Sequence, residues 1–236
     1  GDRPAPKSWL VDDERGYGGP GAWGDLVADL VGGREPEPFA KGDWPAPPAA
    51  PADRPRSPYA VLHVGASTVL KQWAPDRWAA LADALAKRDL AVVWSAGRGE
   101  EPIVERCDPG HRHASIAGRL DLAQLWHLLA GAALLVSPDT GVAHLGRTTF
   151  TPTVTLFGPG SALICGPGRF WRNTPGRAVT VDPFPCRDQA ILFRRELAWV
   201  RRCGRSASQC AEPKCMQAIG VDAVLAAADD LLAARP

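Results

Sequence analysis

The sequence predicts an α/β fold, a doubly wound parallel sheet of the Rossmann-like type. From residue 58 onward, short apolar runs alternate with segments of helical periodicity. The apolar runs are continuous rather than alternating in polarity, as strands covered on both faces require. Each run also ends in small or polar residues, at the place where such sheets bind ligands.

The elements follow in order. "YAVLHVGA" (59–66) reads as a strand with a glycine exit. "APDRWAALADALAKR" (74–88) reads as a helix: Pro75 suits a first turn, and Trp78, Leu81 and Leu85 recur at helical spacing. "LAVVWSAG" (90–97) is a second strand, 100–107 a short helix and 114–117 a short strand. Asp121 is placed to cap a helix over 122–132. "LLVS" (134–137) is a strand, 142–147 a short helix, and "TPTVTLFG" (151–158) and "RAVTVD" (177–182) are strands. An amphipathic helix over 221–234 closes the chain.

Residues 1–57 differ. Stretches such as "GYGGPGAWGD" and "WPAPPAAPADRPRSP" are too rich in proline and glycine for a sheet. They read as a linker or a strapped-on arm with one short helix around 23–31. The expected division is therefore 1–57 and 58–236, the second part carrying a cysteine-rich insert at 186–215.

Across 236 residues, 27 Lys and Arg stand against 26 Asp and Glu, a net charge of +1. This balance argues against a nucleic-acid partner, which requires a basic excess. No apolar run approaches the roughly 18–20 residues of a bilayer span. No basic stretch followed by an apolar one opens the sequence, so the expected location is cytoplasmic.

Small and polar groups concentrate at the expected strand ends. After the first strand come Gly65, Ala66, Ser67, Thr68 and Lys71; after the second, Gly97, Gly99, Glu100 and Glu101. After the fourth come Asp139, Thr140, Gly141 and His144; after the fifth, Gly158, Pro159, Gly160 and Ser161. Glycines let a ligand approach the backbone, and free amides at a helix start favour an anion such as phosphate. Thr140 with the amides of Gly141 and Val142 would form such a cradle, with Lys71 as a point charge. Glu101 would accept from ribose hydroxyls. Asp139 and Thr140 read equally as a plain helix N-cap.

The order "LHVGAS", "RWAALADAL", "VVWSAG", "AGRLDLAQLWHLLAGAALLVSPDTGVAHLG", "PTVTLFGPG" and "CMQAIGVDAVLAA" resembles the heptosyltransferase family of glycosyltransferases. "DTGVAH" corresponds to that family's Asp-(Ser/Thr)-Gly-x-x-His signature. The resemblance covers roughly 58–236 and implies the C-terminal, donor-binding domain of a GT-B fold. It implies that Asp139, Thr140, Gly141 and His144 line the diphosphate and sugar of the donor. It further implies that Ser67, Thr68 and Lys71 reach the phosphates, with Gly158 on the same rim, and that Glu101 (or Glu100) holds the ribose. The family's acceptor-binding domain and its catalytic aspartate have no counterpart here, so residues 1–57 read as a linker or a remnant of that domain. "GDLVADL" (24–30) has no apolar strand before it and is not taken as the family's Gly-Asp loop.

The resemblance implies an inverting, metal-independent transfer of a sugar from a nucleoside-diphosphate donor, ADP-heptose above all. The acceptor would be a hydroxyl of lipopolysaccharide core or of a protein. The competing function is a non-catalytic nucleotide-sugar-binding or assembly module. Partners left open are a second copy of the chain and the inner face of the inner membrane.

Cys186, Cys203, Cys210 and Cys215 crowd one segment but lack paired CxxC spacing. They read as ligands of a structural zinc or iron, or as buried free thiols. Some relatives that modify autotransporter proteins carry an iron-binding cysteine finger near this place. "AILFRRELAWVRR" (190–202) reads as a helix presenting Leu192, Phe193, Leu197 and Val200 beside four arginines. That face would pack on the core, or serve an oligomer or membrane contact.

Overall fold

The computed structural model describes residues 19–32, 35–192 and 195–234. The helices are α1 (Trp23–Val31), α2 (Pro75–Ala86), α3 (Glu101–Cys107), α4 (Leu122–Gly131), α5 (Gly141–Thr148), α6 (Lys214–Gln217) and α7 (Val221–Ala233). The strands are β1 (Tyr59–His63), β2 (Ala91–Ser95), β3 (Ala114–Ser115), β4 (Leu134–Pro138), β5 (Thr153–Phe157), β6 (Gly176–Thr180), β7 (Ile191–Leu192) and β8 (Arg195–Glu196). A 3-10 turn, Val69–Lys71, lies between β1 and α2.

Six strands form a parallel sheet in the order β3-β2-β1-β4-β5-β6. The chain winds outward from β1 in one direction and from β4 in the other. The crevice beyond the carboxyl ends of β1 and β4 is therefore the topological switch point, where ligands bind in such sheets.

β1, β4 and β5 are buried at every position, which explains their largely apolar character. Successive side chains of β1 go to opposite faces. Ala60, Leu62 and Val64 join Trp78, Leu81 and Leu85 of α2 and Val224, Ala228 and Leu231 of α7. Tyr59 and Val61 join Leu128 and Leu129 of α4 on the other face. Each fully buried leucine contributes about 1.5–3 kcal/mol by leaving water.

Local chemistry fixes the ends of the helices that frame the crevice. Pro75 occupies the first turn of α2. Just before it, Trp73 donates to the carbonyl of Ile219 at 2.9 Å and meets Trp78 edge to face. Asp121 caps α4 reciprocally with Gln124, the two side chains each accepting from the other's backbone amide at 2.7 and 3.0 Å.

The proline-rich arm is strapped onto the connection between β5 and β6. Leu26 of α1 is buried with Ile164, Leu192, Leu197 and Val200. Phe39 is fully buried among Trp44, Phe150, Phe170 and Trp171, with ring centroids 4.7–5.9 Å away. Its amide donates to the carbonyl of Phe170. Gly32 ends α1 with φ at 73°, a conformation that suits glycine.

One element differs from expectation. Residues 190–202 do not form a helix. β7 and β8 pair antiparallel, and Gln189 bridges to Arg202 behind them. Leu192, Leu197 and Val200 are buried as expected of an apolar face, but in an out-and-back path. The ties between Gln189 and Arg202 and from the Cys203 amide to the Pro159 carbonyl hold both ends of the segment together, which a straight helix cannot satisfy. Phe193 and Arg194 lie outside the described residues. Among the described residues, no helix is long and apolar enough to cross a membrane.

Candidate functional site

The reversal of strand order sets the ends of β1 and β4 side by side. After β1 the chain passes Gly65, Ala66 and Ser67 into the 3-10 turn that ends at Lys71. After β4 it passes Asp139 and Thr140 into α5. The Lys71 ammonium donates to the Asp139 carbonyl oxygen at 2.6 Å and to Asp139 Oδ2 at 2.9 Å. An ammonium has three donors, so one remains for an acceptor in the cleft. The Asp139 side chain is only 10% exposed, so its charge is held in place largely by this lysine.

Thr140 precedes α5 in the N-cap position, but its side chain caps nothing; its Oγ1 lies 3.2 Å from Ser137 Oγ. No atom of the fold lies within 4 Å of where a Cβ at Gly141 would stand. The first turn of α5 therefore faces open space with amides that have no side-chain cap. Such a terminus favours a negative group.

On the far side of the cleft, Glu100 joins two loops. Its Oε1 accepts from the Ala66 amide at 3.0 Å and its Oε2 from the Gly97 amide at 2.7 Å. A Cβ at Gly65 would collide with this carboxylate, so a larger residue there would displace Glu100 from its present place.

A cleft of about 870 Å³ joins these groups. Ser67, Lys71, Asp139, Thr140, Gly141 and His144, all candidates from the sequence, line it together. His63, Glu100, Leu122, Arg147, Cys165 and Trp171 line it as well. Arg147 stands three residues after His144 and seven after Thr140, on the same face of α5. That helical spacing was the available signal for it. Cys165 and Trp171 arrive through the irregular β5–β6 connection, whose path no periodicity announces.

Both cleft histidines have lowered pKa values. Burial pushes the pKa of His63 down to about 4; its Nδ1 lies 3.1 Å from Ser95 Oγ. Burial and then the Arg147 guanidinium push His144 below the usual histidine range, against an opposing pull from Asp139.

Three expected site residues stand elsewhere. Thr68 Oγ1 accepts from the Leu70 amide and starts the 3-10 turn instead of facing the cleft. Glu101 opens α3 with its carboxylate against Gly118, where a Cβ would collide with it. Its neighbour Glu100 is the acid in the cleft. Gly158 packs against Met216, and its carbonyl accepts from Arg187 Nε at 2.6 Å.

The four clustered cysteines are not joined in disulfides. Burial, then the neighbouring Cys186, pushes the Cys215 thiol up, and Cys203 acts in the same direction. Cys203 Sγ accepts from the Arg205 amide at 3.4 Å, and the Cys210 thiol donates to the Glu212 carbonyl at 3.3 Å. Among the described residues, no three His, Cys, Asp or Glu side chains are grouped to hold a metal ion. As arranged, then, the four cysteines do not form a ready ligand set.

Strand order and switch-point cleft together define a doubly wound α/β protein, and comparison with known proteins agrees. Residues 23–170 match glycosyltransferase family 9 (heptosyltransferase), and the chain belongs to that family. Lipopolysaccharide heptosyltransferase 1 of Pseudomonas aeruginosa is 33% identical over 154 residues, 59% of this chain and 42% of that protein. The chain thus spans less than half the length of this relative. Among solved structures, Escherichia coli ADP-heptose lps heptosyltransferase II superposes with a TM-score of 0.58 at 18% identity, covering 75% of this chain and 47% of that one. The iron-containing dodecameric glycosyltransferase TibC from enterotoxigenic E. coli superposes with a TM-score of 0.54 at 18% identity, covering 87% and 50%. Both likenesses support the fold, the doubly wound unit of a GT-B enzyme.

Proposed function

We propose that this chain binds a nucleoside-diphosphate sugar, ADP-heptose by preference, in the cleft between β1 and β4, for transfer of the sugar to an acceptor hydroxyl. The observation that carries the reading is the Lys71–Asp139 pair beside the uncapped first turn of α5. The diphosphate lies on Lys71, Thr140 and the amides of Gly141 and Val142. The nucleoside extends toward Glu100, whose carboxylate retains lone pairs for ribose hydroxyls, and toward the exposed side chain of Leu122. Asp139, a carboxylate, repels phosphate; its part is to hold the lysine.

Transfer then follows as an inverting displacement. A base outside the described residues takes the acceptor proton, the acceptor oxygen bonds to the anomeric carbon, and the bond from that carbon to the diphosphate oxygen breaks. The charge arriving on the departing diphosphate meets Lys71 and the α5 amides, which supply the stabilisation without a metal. A lipopolysaccharide-core or protein acceptor, action at the inner face of the inner membrane and assembly into an oligomer belong to the same reading. The names of the family relatives support the lipopolysaccharide acceptor, and the dodecameric neighbour supports the oligomer. Zinc or iron at Cys186, Cys203, Cys210 and Cys215 is a separate proposal. It is supported by the crowding of the four free thiols in one segment, would need them to draw together around the ion, and is tested by elemental analysis of the purified protein.

The test of the donor site is thermal protection. ADP raises the melting temperature through binding to the folded state, and Lys71→Ala diminishes the rise. A chain that no nucleoside diphosphate protects does not have this function. Donor binding with no transfer to any acceptor would instead mark a binding module.

A further inference from the structure

His144 and Arg147 share one face of α5, and the bond between them decides what the histidine can do. His144 comes four residues after Thr140 and so stands about 6 Å further along the helix axis, on the same face. It lines the donor cleft and is exposed to it. That position matches the far end of a diphosphate lying on the first turn, or the sugar bonded there.

Arg147 is held from the β5–β6 connection. Its Nη2 donates to the Cys165 carbonyl at 3.0 Å and its Nη1 to the Gly166 carbonyl at 3.2 Å. Nη1 also lies 3.2 Å from His144 Nδ1. Burial opposes the guanidinium charge, and Asp139 supports it through space.

The contact with Nδ1 has one chemical solution. A guanidinium carries N–H donors and no acceptor. The ring nitrogen facing it must therefore offer a lone pair, so His144 Nδ1 carries no proton. In an uncharged imidazole the proton then sits on Nε2. The same contact disfavours the imidazolium, in which Nδ1–H and the guanidinium would point donors at each other. Burial and then Arg147 accordingly lower the His144 pKa, Lys71 acting with them and Asp139 against. Those three residues are the charged groups that face the ring: Asp139 at the end of β4, Lys71 at the end of the 3-10 turn and Arg147 on α5 itself.

We propose that Arg147 is a positioning residue for donor binding: it holds His144 in the tautomer protonated at Nε2, as a hydrogen-bond donor and not a base, toward an oxygen of the outer phosphate or sugar of an ADP-sugar. The inference rests on the donor reading above. With Nδ1 engaged by Arg147 and Nε2 already protonated, His144 has no free lone pair for the acceptor proton, and the base must come from elsewhere.

The test uses the whole chain with its histidines labelled by the heavy nitrogen isotope, so that NMR tells a bare ring nitrogen from a protonated one. His144→Leu identifies the signals. Above the titration range of the ring, His144 is expected to show a single tautomer, Nδ1 bare and Nε2 protonated. Arg147→Met keeps the bulk but has no N–H to give, and is expected to admit the other tautomer and to raise the titration midpoint of His144. Calorimetry with ADP-glucose is expected to show a loss of about 10-fold in His144→Leu and at least about 3-fold in Arg147→Met. Because Arg147 acts through His144, adding Arg147→Met to His144→Leu should cost less than about 2-fold more. A wild-type ring protonated at Nδ1, or one whose tautomer Arg147→Met leaves unchanged, overturns the positioning role. Losses that multiply in full in the double variant do so too, since Arg147 would then meet the ligand itself. ADP is titrated first. If ADP binds but His144→Leu leaves ADP-glucose affinity within about 2-fold, this inference alone falls. If ADP does not bind, the donor reading falls, and the target of the Nε2 proton falls with it.

Discussion

Lys71 Nζ lies 2.9 Å from Asp139 Oδ2 and 2.6 Å from the Asp139 carbonyl oxygen, across a sequence separation of 68 residues. The pair closes the mouth between β1 and β4, which are hydrogen-bonded neighbours although three α-helices and two strands separate them in sequence. Two acceptors on one residue fix the ammonium beside the first turn of α5. A lysine in water explores many rotamers, and ordering it on binding carries an entropy cost of up to about 2 kcal/mol. Here much of that cost is met in folding, so phosphate encounters a charge already in position.

Lys71→Ala is accordingly expected to weaken ADP about 10- to 100-fold, the range of a hydrogen bond to a charged group. Calorimetric titration measures it. A change below 3-fold would remove Lys71 from the donor site.

Glu100 and Glu101 separate cleanly. Glu100→Ala releases the Ala66 and Gly97 amides, and is expected to weaken ADP and lower the melting temperature together. Glu101→Ala leaves ADP affinity within about 2-fold, since that carboxylate packs against Gly118. Titration of ADP against both variants checks the assignment.

The contrast between those two acids marks how far sequence reading reached. The strands were legible because burial on both faces leaves unbroken apolar runs, as in "ALLV" before Ser137. The cleft was legible where local grammar creates it: a strand end, a glycine, a helix start. Which of two adjacent acids faces the cleft depends on the phase of a seven-residue helix, α3, and no local pattern settles that. The 190–202 segment failed for another reason. Leu192, Leu197 and Val200 are compatible with a helix face, and the hairpin is tied by the pairing of Gln189 with Arg202 and by the distant bond of Cys203 to Pro159. Trp171 reaches the cleft through packing against Phe39 of the arm, and Cys165 through packing against the cluster that holds Leu26, contacts the sequence separates by more than a hundred positions.

His63 makes stability depend on pH in a defined window. Burial lowers its folded pKa to about 4, against 6.5 for the unsuppressed ring. Between those values the unfolded state binds the extra proton, so stability falls as pH drops from 6.5 toward 4. The shift corresponds to about 3 kcal/mol at full depth. Urea unfolding of wild type and His63→Gln at pH 7 and pH 4.5 is expected to show a smaller acid loss in the variant. Equal losses would mean that His63 is accessible to protons in the folded state.

Phe39 decides whether the arm belongs to the fold. It is wholly buried between the proline-rich segment and the β5–β6 connection. Phe39→Ala is expected to cost about 3–5 kcal/mol in urea unfolding, as truncation of a buried ring does. It should also make the arm readily cleaved by protease. A cost under 1 kcal/mol would mean that the arm contributes little to the folded state.

Arg187 connects the outer strands to the donor site. Its guanidinium is buried and donates to the Gly158 carbonyl at 2.6 Å, the Phe157 carbonyl at 2.9 Å and Thr180 Oγ1 at 2.8 Å. The carbonyls lie at the end of β5, and the threonine at the end of β6. Two residues beyond Gly158, a Cβ at Gly160 would stand 2.8 Å from Asp139 Oδ2. The loop that Arg187 anchors is thus the wall against which Asp139 rests. Arg187→Met takes from the Gly158 carbonyl its side-chain donor and from the Phe157 carbonyl one of two, Thr180 Oγ1 being the other, and is expected to cost about 1–3 kcal/mol. Arg187→Lys keeps the charge but not the fork, and should recover only part of that. Because the wall behind Asp139 loosens, ADP affinity should fall several-fold in the methionine variant and less in the lysine variant. If the melting temperature falls while ADP affinity holds, the end of β5 and the Lys71–Asp139 pair are mechanically independent.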